Sequence, residues 1–271
     1  MNNIGWDQRC ANAIDLMIDY VQPYVTPLSE VVDKDCGRHW GSGSYFRYDG
    51  KVFLITNEHV AAKLVDTSIT HQFMGADHVF RFATPFVACD YPFDLAISRI
   101  ATDVWSYCSH CAVPIEFSRF SQFHEPVPGE CFFTLGYSNE RSGFHFGTFV
   151  ANGIPYLTQE APIPDSLADP SYHFLLHYLP ELATPTVANS PGLPAPDGLS
   201  GSLVWNTRLV ERMLAGEEWT PNDAVVTGIV CRWLPQFGAL RVLRAEHLHS
   251  QVVSLCVEHG MMDNPHPDPH G

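Results

Sequence analysis

The sequence predicts an all-β fold with one helix at each end, and three observations support this. Between residues 31 and 236, short runs rich in β-branched and aromatic residues are broken by Gly, Pro, Asn and Asp, as in antiparallel barrels and sandwiches. Of the 271 residues, 45% are apolar, so the chain is globular and can bury a substantial core. Amphipathic helical patterns flank the β region. The predicted strands are residues 44–48, 52–56, 78–82, 95–100, 131–135, 143–150, 203–206 and 224–231.

The two helices define the expected domain organisation. Apolar residues recur at intervals of three and four between Trp6 and Tyr20, and Pro23 then breaks the pattern. A second such pattern begins at Ala245 and ends near Gly260. Residues 261–271 are rich in Pro, Asp and His and have no apolar face to bury. We therefore expect an N-terminal helical segment (residues 1–30), a β domain (31–260) and a disordered tail (261–271).

Two connections within the β region differ in character. The Asp49-Gly50 step suits a tight turn with positive φ, and it predicts a hairpin between strands 44–48 and 52–56. Residues 159–196 are rich in Pro, Ala, Ser and Asp and show little periodicity. We expect them to form long surface loops around a cleft.

Charge and hydropathy exclude several classes of function. With 15 Lys and Arg against 30 Asp and Glu, the net charge of −15 argues against nucleic-acid binding. The sequence contains no apolar run of membrane-spanning length, and its N-terminus lacks the pattern of a signal peptide. These features predict a soluble, unsecreted protein without a membrane partner, located in the cytoplasm.

The cysteines give a weaker signal. Eight are scattered along the chain, and without a signal peptide we expect reduced thiols, although disulfides stay possible. Cys108 and Cys111 have the spacing of half a zinc site, but no second pair accompanies them at the usual separation, so we expect no metal. A zinc-stabilised structural protein is therefore the weakest of the hypotheses considered. We expect the following histidines at the surface or in loops: His71, His78, His124, His173 and His177.

Three local signatures place a His, an Asp and a Ser at strand ends. His59 follows strand 52–56, Asp94 precedes strand 95–100, and Ser200 lies between glycines just before strand 203–206. A serine hydroxyl needs a neutral imidazole to take its proton, and a carboxylate must hold that imidazole in the right tautomer. Ser200 is therefore the candidate nucleophile, His59 the general base and then acid, and Asp94 the residue that orients His59.

Glycine-containing turns lie at two places near the candidate catalytic residues in the sequence. Around Ser200 they allow a tight turn in which the amide groups of Gly198 and Ser200 can converge on the oxyanion of a reaction intermediate. A second glycine turn, Gly41-Ser42-Gly43, leads into strand 44–48.

With these residues the sequence resembles the chymotrypsin-like (trypsin-like) serine proteases, particularly their bacterial intracellular and periplasmic type. The resemblance runs from residue 41 to about residue 243, roughly three quarters of the chain. It implies two six-stranded antiparallel β-barrels with a catalytic cleft between them, hydrolysis of peptide bonds through an acyl-enzyme on Ser200, a protein or peptide substrate, and no cofactor. The matching motifs, in the family's order, are Thr56-Asn57-Glu58-His59-Val60, Asp94-Leu95-Ala96-Ile97 and Gly198-Leu199-Ser200-Gly201-Ser202.

Departures from the family pattern limit what the resemblance implies. Leu199 stands where digestive members have an Asp that receives a freed N-terminus, so activation of that kind is not expected. By resemblance, the strand with Cys231, Arg232 and Trp233 pairs with an extended substrate, and Trp233 narrows the primary pocket. The base of that pocket is expected near Pro194, where no acidic residue stands, which favours a small or apolar substrate side chain.

Two alternatives to an active peptidase were weighed. An α/β-hydrolase requires a helix after the nucleophile and an acid and a His further along the chain, whereas a strand follows Ser200 and only 71 residues remain. The other alternative is a latent or inactive peptidase-fold module that binds a protein or is activated by a protein partner. An unrestrained protease would harm a cell, and no inhibitory segment is evident unless the first 30 or so residues serve as one.

Overall fold

The computed structural model describes residues 3–31, 37–65, 69–82, 84–145, 148–167, 169–184 and 192–263. These residues form two curled, predominantly antiparallel β-sheets with a long helix at each end of the chain. The predicted all-β fold and the two-barrel, chymotrypsin-like architecture are confirmed.

The first half of the chain forms an eight-stranded sheet. Its strands are β1 (Val25–Val31), β2 (Gly37–Tyr48), β3 (Lys51–Thr56), β4 (Ile69–Gln72), β5 (Val79–Arg81), β6 (Val87–Cys89), β7 (Leu95–Arg99) and β8 (Ile115–Glu116). Their order is β5-β4-β1-β2-β3-β7-β6, and β8 pairs with β2 in parallel. The predicted hairpin is confirmed, because Asp49 and Gly50 join β2 to β3 with φ angles of 48° and 72°.

The second half forms a seven-stranded sheet. Its strands are β9 (Phe132–His145), β10 (Thr148–Thr158), β11 (Glu160–Ala161), β12 (His173–His177), β13 (Leu203–Asn206), β14 (Val225–Leu234) and β15 (Ala239–Arg244). Their order is β10-β9-β13-β14-β15-β12-β11. The sheets thus have eight and seven strands instead of six each, and the surplus includes strands of two or three residues, such as β8, β11 and β5. Strands this short leave no periodic signal in a sequence.

Helices cover the sheets and connect some strands. The terminal helices α1 (Asn3–Val21) and α5 (Ala245–Asp263) confirm the two predicted helices. Three shorter helices are α2 (Glu58–Ala61), α3 (Thr102–Trp105) and α4 (Leu209–Ala215). Short 3₁₀ helices lie at Gln22–Tyr24, Ala62–Val65, Phe117–Arg119, Pro180–Leu182, Pro221–Asp223 and Pro235–Phe237.

The end of α5 overlaps the predicted tail. This helix extends three residues into it, and residues 264–271 lie outside the described part of the chain. Within the described ranges, none of the helices combines the length and apolarity needed to cross a membrane.

One apolar core joins the two sheets and both terminal helices. It contains residues from the first sheet, the second sheet, α1 and α5, among them Phe46, Ile55, Phe133, Leu203, Trp205, Met17, Val21, Leu248 and Val252. Burial of apolar side chains contributes about 1.5–3 kcal/mol each, so this shared core fixes one sheet against the other. Aromatic packing adds to it, because the rings of Tyr20 and Tyr24 lie 5.8 and 5.9 Å from that of Trp205.

The prediction of surface loops over residues 159–196 is wrong where the structure has strands β11 and β12. β12 pairs with β15, and its residues Phe174, Leu175 and Leu176 are completely buried. This run of three apolar residues is too short to outweigh the Pro-rich and polar composition on either side of it. Residues 168 and 185–191 of this region lie outside the described residues.

Two of the histidines expected at the surface or in loops are instead buried in strands. His71 in β4 is 2% exposed, and its Nδ1 lies 2.8 Å from the hydroxyl of Tyr45. His173 in β12 is fully buried, and its ring nitrogens face the carbonyl oxygens of Pro92 and Asp169. Partners inside the fold make this burial tolerable, and a single sequence does not reveal them.

Candidate active site

His59 and Asp94 are in contact where two neighbouring strands of the first sheet end and begin. β3 and β7 are antiparallel neighbours with Thr56 opposite Ala96, so the end of β3 and the start of β7 lie side by side. His59 lies in α2, just after β3, and Asp94 directly precedes β7. The Nδ1 atom of His59 is 2.8 Å from Oδ2 and 2.9 Å from Oδ1 of Asp94. Strand pairing therefore joins two residues that are 35 positions apart.

Backbone contacts fix the orientation of this pair. The backbone N–H of His59 donates to Asp94 Oδ1 at 3.1 Å, and Asn57 Nδ2 donates to the Asp94 carbonyl oxygen at 2.8 Å. An ionised carboxylate accepts hydrogen bonds only, so Nδ1 of His59 carries the proton that faces it. The other ring nitrogen, Nε2, then carries the free lone pair.

The surroundings of His59 are acidic. Partial burial, together with the charges of Asp90 and Asp94, raises the pKa of Glu58 above its ordinary value. The charges of Asp90 and Asp94 thus make the ionised form of Glu58 less favourable.

Ser200 lies in a tightly turned loop just before β13. The N–H of Leu199 donates to the carbonyl of Pro196, and the N–H of Ser202 donates to the carbonyl of Leu199, each at 3.0 Å. Two successive turns therefore place Ser200 at the bend of the chain, with its side chain half-buried.

Two glycines make this loop possible. Gly198 and Gly201 have φ angles of 99° and 88°, a region that L side chains rarely adopt. A Cβ on Gly201 would lie 2.0 Å from the carbonyl oxygen of Ser42 in β2. The loop is thus pressed against the first sheet at a distance that only glycine allows.

The Ser200 hydroxyl donates to the carbonyl of Cys231, at 3.3 Å. Among the hydrogen bonds of the described residues, none joins this hydroxyl to His59. The register between β14 and β15 shifts between Val230 and Arg232, so Cys231 is a bulge residue whose carbonyl is available to the serine.

Cys231 also links Ser200 to the His59–Asp94 pair. Its side chain is completely buried, and its thiol donates to the carbonyl of Ile229 at 3.5 Å. Burial and, secondarily, the charge of Asp94 raise the pKa of the Cys231 thiol to about 12. Cys231 therefore accepts the Ser200 hydroxyl at its carbonyl and lies close enough to Asp94 for that charge to act on its thiol.

The two predicted oxyanion donors are open. Within the part of the chain that the structure describes, the N–H groups of Gly198 and Ser200 donate to no acceptor. Their carbonyl groups, in contrast, are both bound by Ser42. Two unpaired N–H groups in one bend can donate hydrogen bonds to a negatively charged oxygen.

The residues predicted to bind substrate occupy two positions. After the bulge at Cys231, the part of β14 from Arg232 to Leu234 pairs with β15 on one side, whereas its pairing with β13 ends at Ile229. Among the described residues, no strand pairs with the other edge of this part, and Arg232 on it is exposed. An extended peptide could add to this edge by main-chain hydrogen bonds.

Trp233 and Pro194 meet at a residue that the sequence did not point out, Tyr178. The hydroxyl of Tyr178 donates to the carbonyl of Pro194 at 2.8 Å, and its ring packs edge-to-face on Trp233 with centroids 5.5 Å apart. Tyr178 is fully buried and directly follows β12, within the region predicted as loops. Two large rings therefore lie beside Pro194, where the base of the primary pocket was expected.

Pro194 also lines a separate cavity. This cavity, of about 940 Å³, lies between α1, β10 and the segment around Leu179, and its lining includes Trp6, Cys10 and Cys131. His59, Asp94 and Ser200 do not line it. Its size therefore says nothing about the candidate site.

The described cysteines form no disulfide, and Cys108 and Cys111 belong to no metal-binding group among the described residues. Seven cysteines lie in the described residues and all are free, while Cys36 lies outside these residues. Among the described residues, no three His, Cys, Asp or Glu side chains are grouped so as to hold a metal ion.

Comparison with known proteins gives likenesses of fold only. No protein-family model and no curated protein matches the chain. Tobacco etch virus protease in complex with product has 13% sequence identity and a TM-score of 0.45, over 86% of this chain and 79% of that one. The MamO protease domain of Magnetospirillum magneticum has 16% identity and a TM-score of 0.45, over 86% and 95%. At such low identities and TM-scores, neither likeness transfers an activity to this chain.

Proposed function

We propose that this chain is a serine endopeptidase that hydrolyses peptide bonds through an acyl-enzyme on Ser200. The observation that carries the proposal is the His59–Asp94 contact, with Nδ1 on the carboxylate at 2.8 Å and Nε2 left free. A serine at a glycine bend supports it. This is the set of groups that turns a weak hydroxyl into a nucleophile.

The mechanism follows from these positions. Ser200 Oγ attacks the substrate carbonyl carbon while His59 Nε2 takes its proton, and Asp94 stabilises the resulting imidazolium. The negative oxygen of the tetrahedral intermediate accepts hydrogen bonds from the N–H groups of Gly198 and Ser200. His59 then gives its proton to the leaving amine, and water hydrolyses the acyl-enzyme by the same steps. No cofactor takes part.

For the substrate, we propose an extended peptide along the free edge of residues 232–234 with a small or apolar side chain in the primary pocket. The Trp233 and Tyr178 rings support this preference because they reduce the space near Pro194. The bacterial intracellular type and the cytoplasmic location stay predictions from the sequence.

A second candidate function is a latent module that a protein partner activates. The observation that favours it is the hydrogen bond from Ser200 to Cys231, which directs the hydroxyl to a carbonyl instead of to His59. A rotation about the Cα–Cβ bond of Ser200 separates the two candidates, and either bound substrate or a partner could cause it.

Labelling with a fluorophosphonate probe, followed by mass spectrometry of the modified peptide, tests the proposal. We expect stoichiometric modification at Ser200, and no modification in Ser200→Ala or His59→Ala. Ser202→Ala is the matched control, since its buried hydroxyl lies in the same loop and has no hydrogen-bond partner; it should be labelled like the unmodified protein.

The outcomes distinguish an active peptidase from a latent module, and they also show whether the proposed mechanism is wrong. A folded protein that is labelled only after addition of a cell extract favours the latent module. Modification of another residue, or labelling that persists in His59→Ala at an unchanged rate, contradicts the proposed mechanism.

A further inference from the structure

Ser42, in the glycine turn Gly41-Ser42-Gly43 of β2, uses every one of its polar groups at the candidate site. Its N–H donates to the Ser200 carbonyl at 2.8 Å, and its hydroxyl donates to the Gly198 carbonyl at 2.9 Å. The same hydroxyl accepts the N–H of Tyr137 at 2.9 Å, and its carbonyl accepts the hydroxyl of Thr56 at 2.8 Å. Ser42, which is 1% exposed, thus connects β2 to β3, to β9 and to the loop that carries Gly198 and Ser200.

Glycines surround this residue so that the backbones can approach it. A Cβ on Gly136 would lie 3.1 Å from the Ser42 hydroxyl oxygen, and one on Gly201 would lie 2.0 Å from its carbonyl oxygen. A Cβ on Gly41 would meet the Ser200 carbonyl at 3.4 Å. The hydroxyl of Ser42 is therefore enclosed by backbone, and the carbonyl of Tyr137, at 3.5 Å, is a second and longer acceptor beside that of Gly198.

His39 restrains the same loop from the other side. Its Nε2 lies 3.1 Å from the carbonyl of Tyr137, and a Cβ on Gly198 would lie 2.7 Å from that nitrogen. Gly198 is therefore fixed at its carbonyl by Ser42 and at its α-carbon by the ring of His39.

These contacts determine where the two free N–H groups point. The peptide before Gly198 is held because the Asp197 carbonyl accepts the N–H of Asn139 at 2.8 Å, and the peptide after it is held by Ser42. Hydrogen bonds on both neighbouring peptide planes therefore restrain φ and ψ of Gly198. Ser200 is restrained in the same way, since the Leu199 carbonyl accepts the N–H of Ser202 and the Ser200 carbonyl accepts the N–H of Ser42.

We propose that the hydroxyl of Ser42 is a positioning group that holds the N–H groups of Gly198 and Ser200 ready for the oxyanion. This inference rests on the proposed function and adds a residue that acts through the loop without touching substrate. Losing one oxyanion donor costs about 100- to 1000-fold in rate, so loosening both without removing either should cost about 10- to 100-fold.

The test compares Ser42→Ala with Ser44→Ala. Ser44 is the matched control because it lies in the same strand, is equally buried, and its hydroxyl has no partner. On a peptide substrate found for the unmodified protein, Ser42→Ala should lower kcat about 10- to 100-fold and change KM less than about 3-fold. Affinity for a peptidyl boronic acid, which forms a tetrahedral adduct on the serine, should fall by the same factor as kcat/KM. Ser44→Ala should change none of these values.

The outcomes test the positioning role of Ser42 separately from the proposed function. Equal kcat and equal boronic acid affinity in Ser42→Ala and the unmodified protein overturn the inference and leave the peptidase proposal intact. An unmodified protein that is not labelled at Ser200 overturns both. Should Ser42→Ala not fold, Ser42→Cys decides by the same measurements, because the thiol fills the space but is a poor donor. If neither variant folds, the hydroxyl is structural and the inference is wrong.

Discussion

The two halves of the candidate site are held in different ways. His59 and Asp94 are brought together by β3 and β7, which are direct neighbours in one sheet. The Ser200 loop depends on contacts between the sheets, because Ser42 of the first sheet binds the carbonyl groups of Gly198 and Ser200. The first half needs one strand pair, whereas the second exists only when both sheets are docked. Perturbations of the inter-sheet contact should therefore affect the serine loop before the His–Asp pair.

The largest expected effect comes from removing either half. Ser200→Ala or His59→Ala should lower kcat by a factor of about 10⁴ to 10⁶, because the nucleophile and its base act as one unit. For the same reason the double variant should be no slower than either single variant. Steady-state peptide hydrolysis measures this. Additive losses in the double variant would show that the two halves do not work together.

The next effect concerns the close approach of the loop to the first sheet. Gly201→Ala adds a Cβ at 2.0 Å from the Ser42 carbonyl and imposes φ of 88° on alanine. We expect a loss of about 3–5 kcal/mol in the free energy of unfolding, from strain and overlap together. Gly50→Ala is the matched control, with φ of 72° and no atom within 4 Å, and should lose only about 1–2 kcal/mol. Urea unfolding distinguishes them, and equal losses would contradict the tight contact.

The different contacts that hold the two halves also explain which residues of the site could be predicted from the sequence. His59, Asp94 and Ser200 each stand at a strand end in a short motif, and the structure brings His59 and Asp94 into direct contact. The roles of Ser42, His39 and Tyr178 were not foreseen, because each depends on contacts far along the chain. Tyr178 was further obscured by the Pro-rich composition around β12. The hairpin at Asp49-Gly50 was predictable because its turn chemistry is local.

Several strands show the same limit. The predicted strand at 143–150 instead covers the end of β9 and the start of β10, with residues 146 and 147 between them outside the described residues. The other missed strands include β1, β4, β6 and β15. Which short segment joins a sheet is decided by partners already in place, and such pairing leaves little trace in a single sequence.

Acid should weaken the serine half through His39. Burial lowers the pKa of His39 to about 4 from an ordinary value of 6.5, so the folded protein keeps this ring neutral. The unfolded chain binds the proton at higher pH, and stability is therefore lost as the pH falls from about 6.5 to about 4. The loss from this group is about 3 kcal/mol.

The variant His39→Phe tests this effect. It cannot titrate, so its free energy of unfolding between pH 7 and 4 should fall by about 3 kcal/mol less than that of the unmodified protein. His78→Phe, at an exposed histidine, should keep the unmodified profile. His71, whose pKa burial lowers to about 3, adds acid sensitivity of the same sign in all three proteins. Parallel profiles for His39→Phe and the unmodified protein would contradict the burial argument.

The smallest expected effect concerns the pocket. Trp233→Ala removes the ring that packs on Tyr178, so larger apolar side chains should gain about 10-fold in kcat/KM relative to alanine. A fluorogenic peptide library with varied residues before the cleaved bond measures this ratio. Trp6→Ala, on α1 beside the separate cavity, is the matched control and should leave the preference unchanged. An unaltered preference in Trp233→Ala would show that these rings do not limit the pocket.

The most direct test of the account is a crystal structure of the protein after reaction with a fluorophosphonate. The account predicts that phosphorus is bonded to Ser200 Oγ and that one phosphoryl oxygen accepts hydrogen bonds from the N–H groups of Gly198 and Ser200. It also predicts that the hydroxyl oxygen has left the Cys231 carbonyl and that His59 keeps its contact with Asp94. A phosphoryl group bonded elsewhere, or one whose oxygen does not face those two N–H groups, would contradict it.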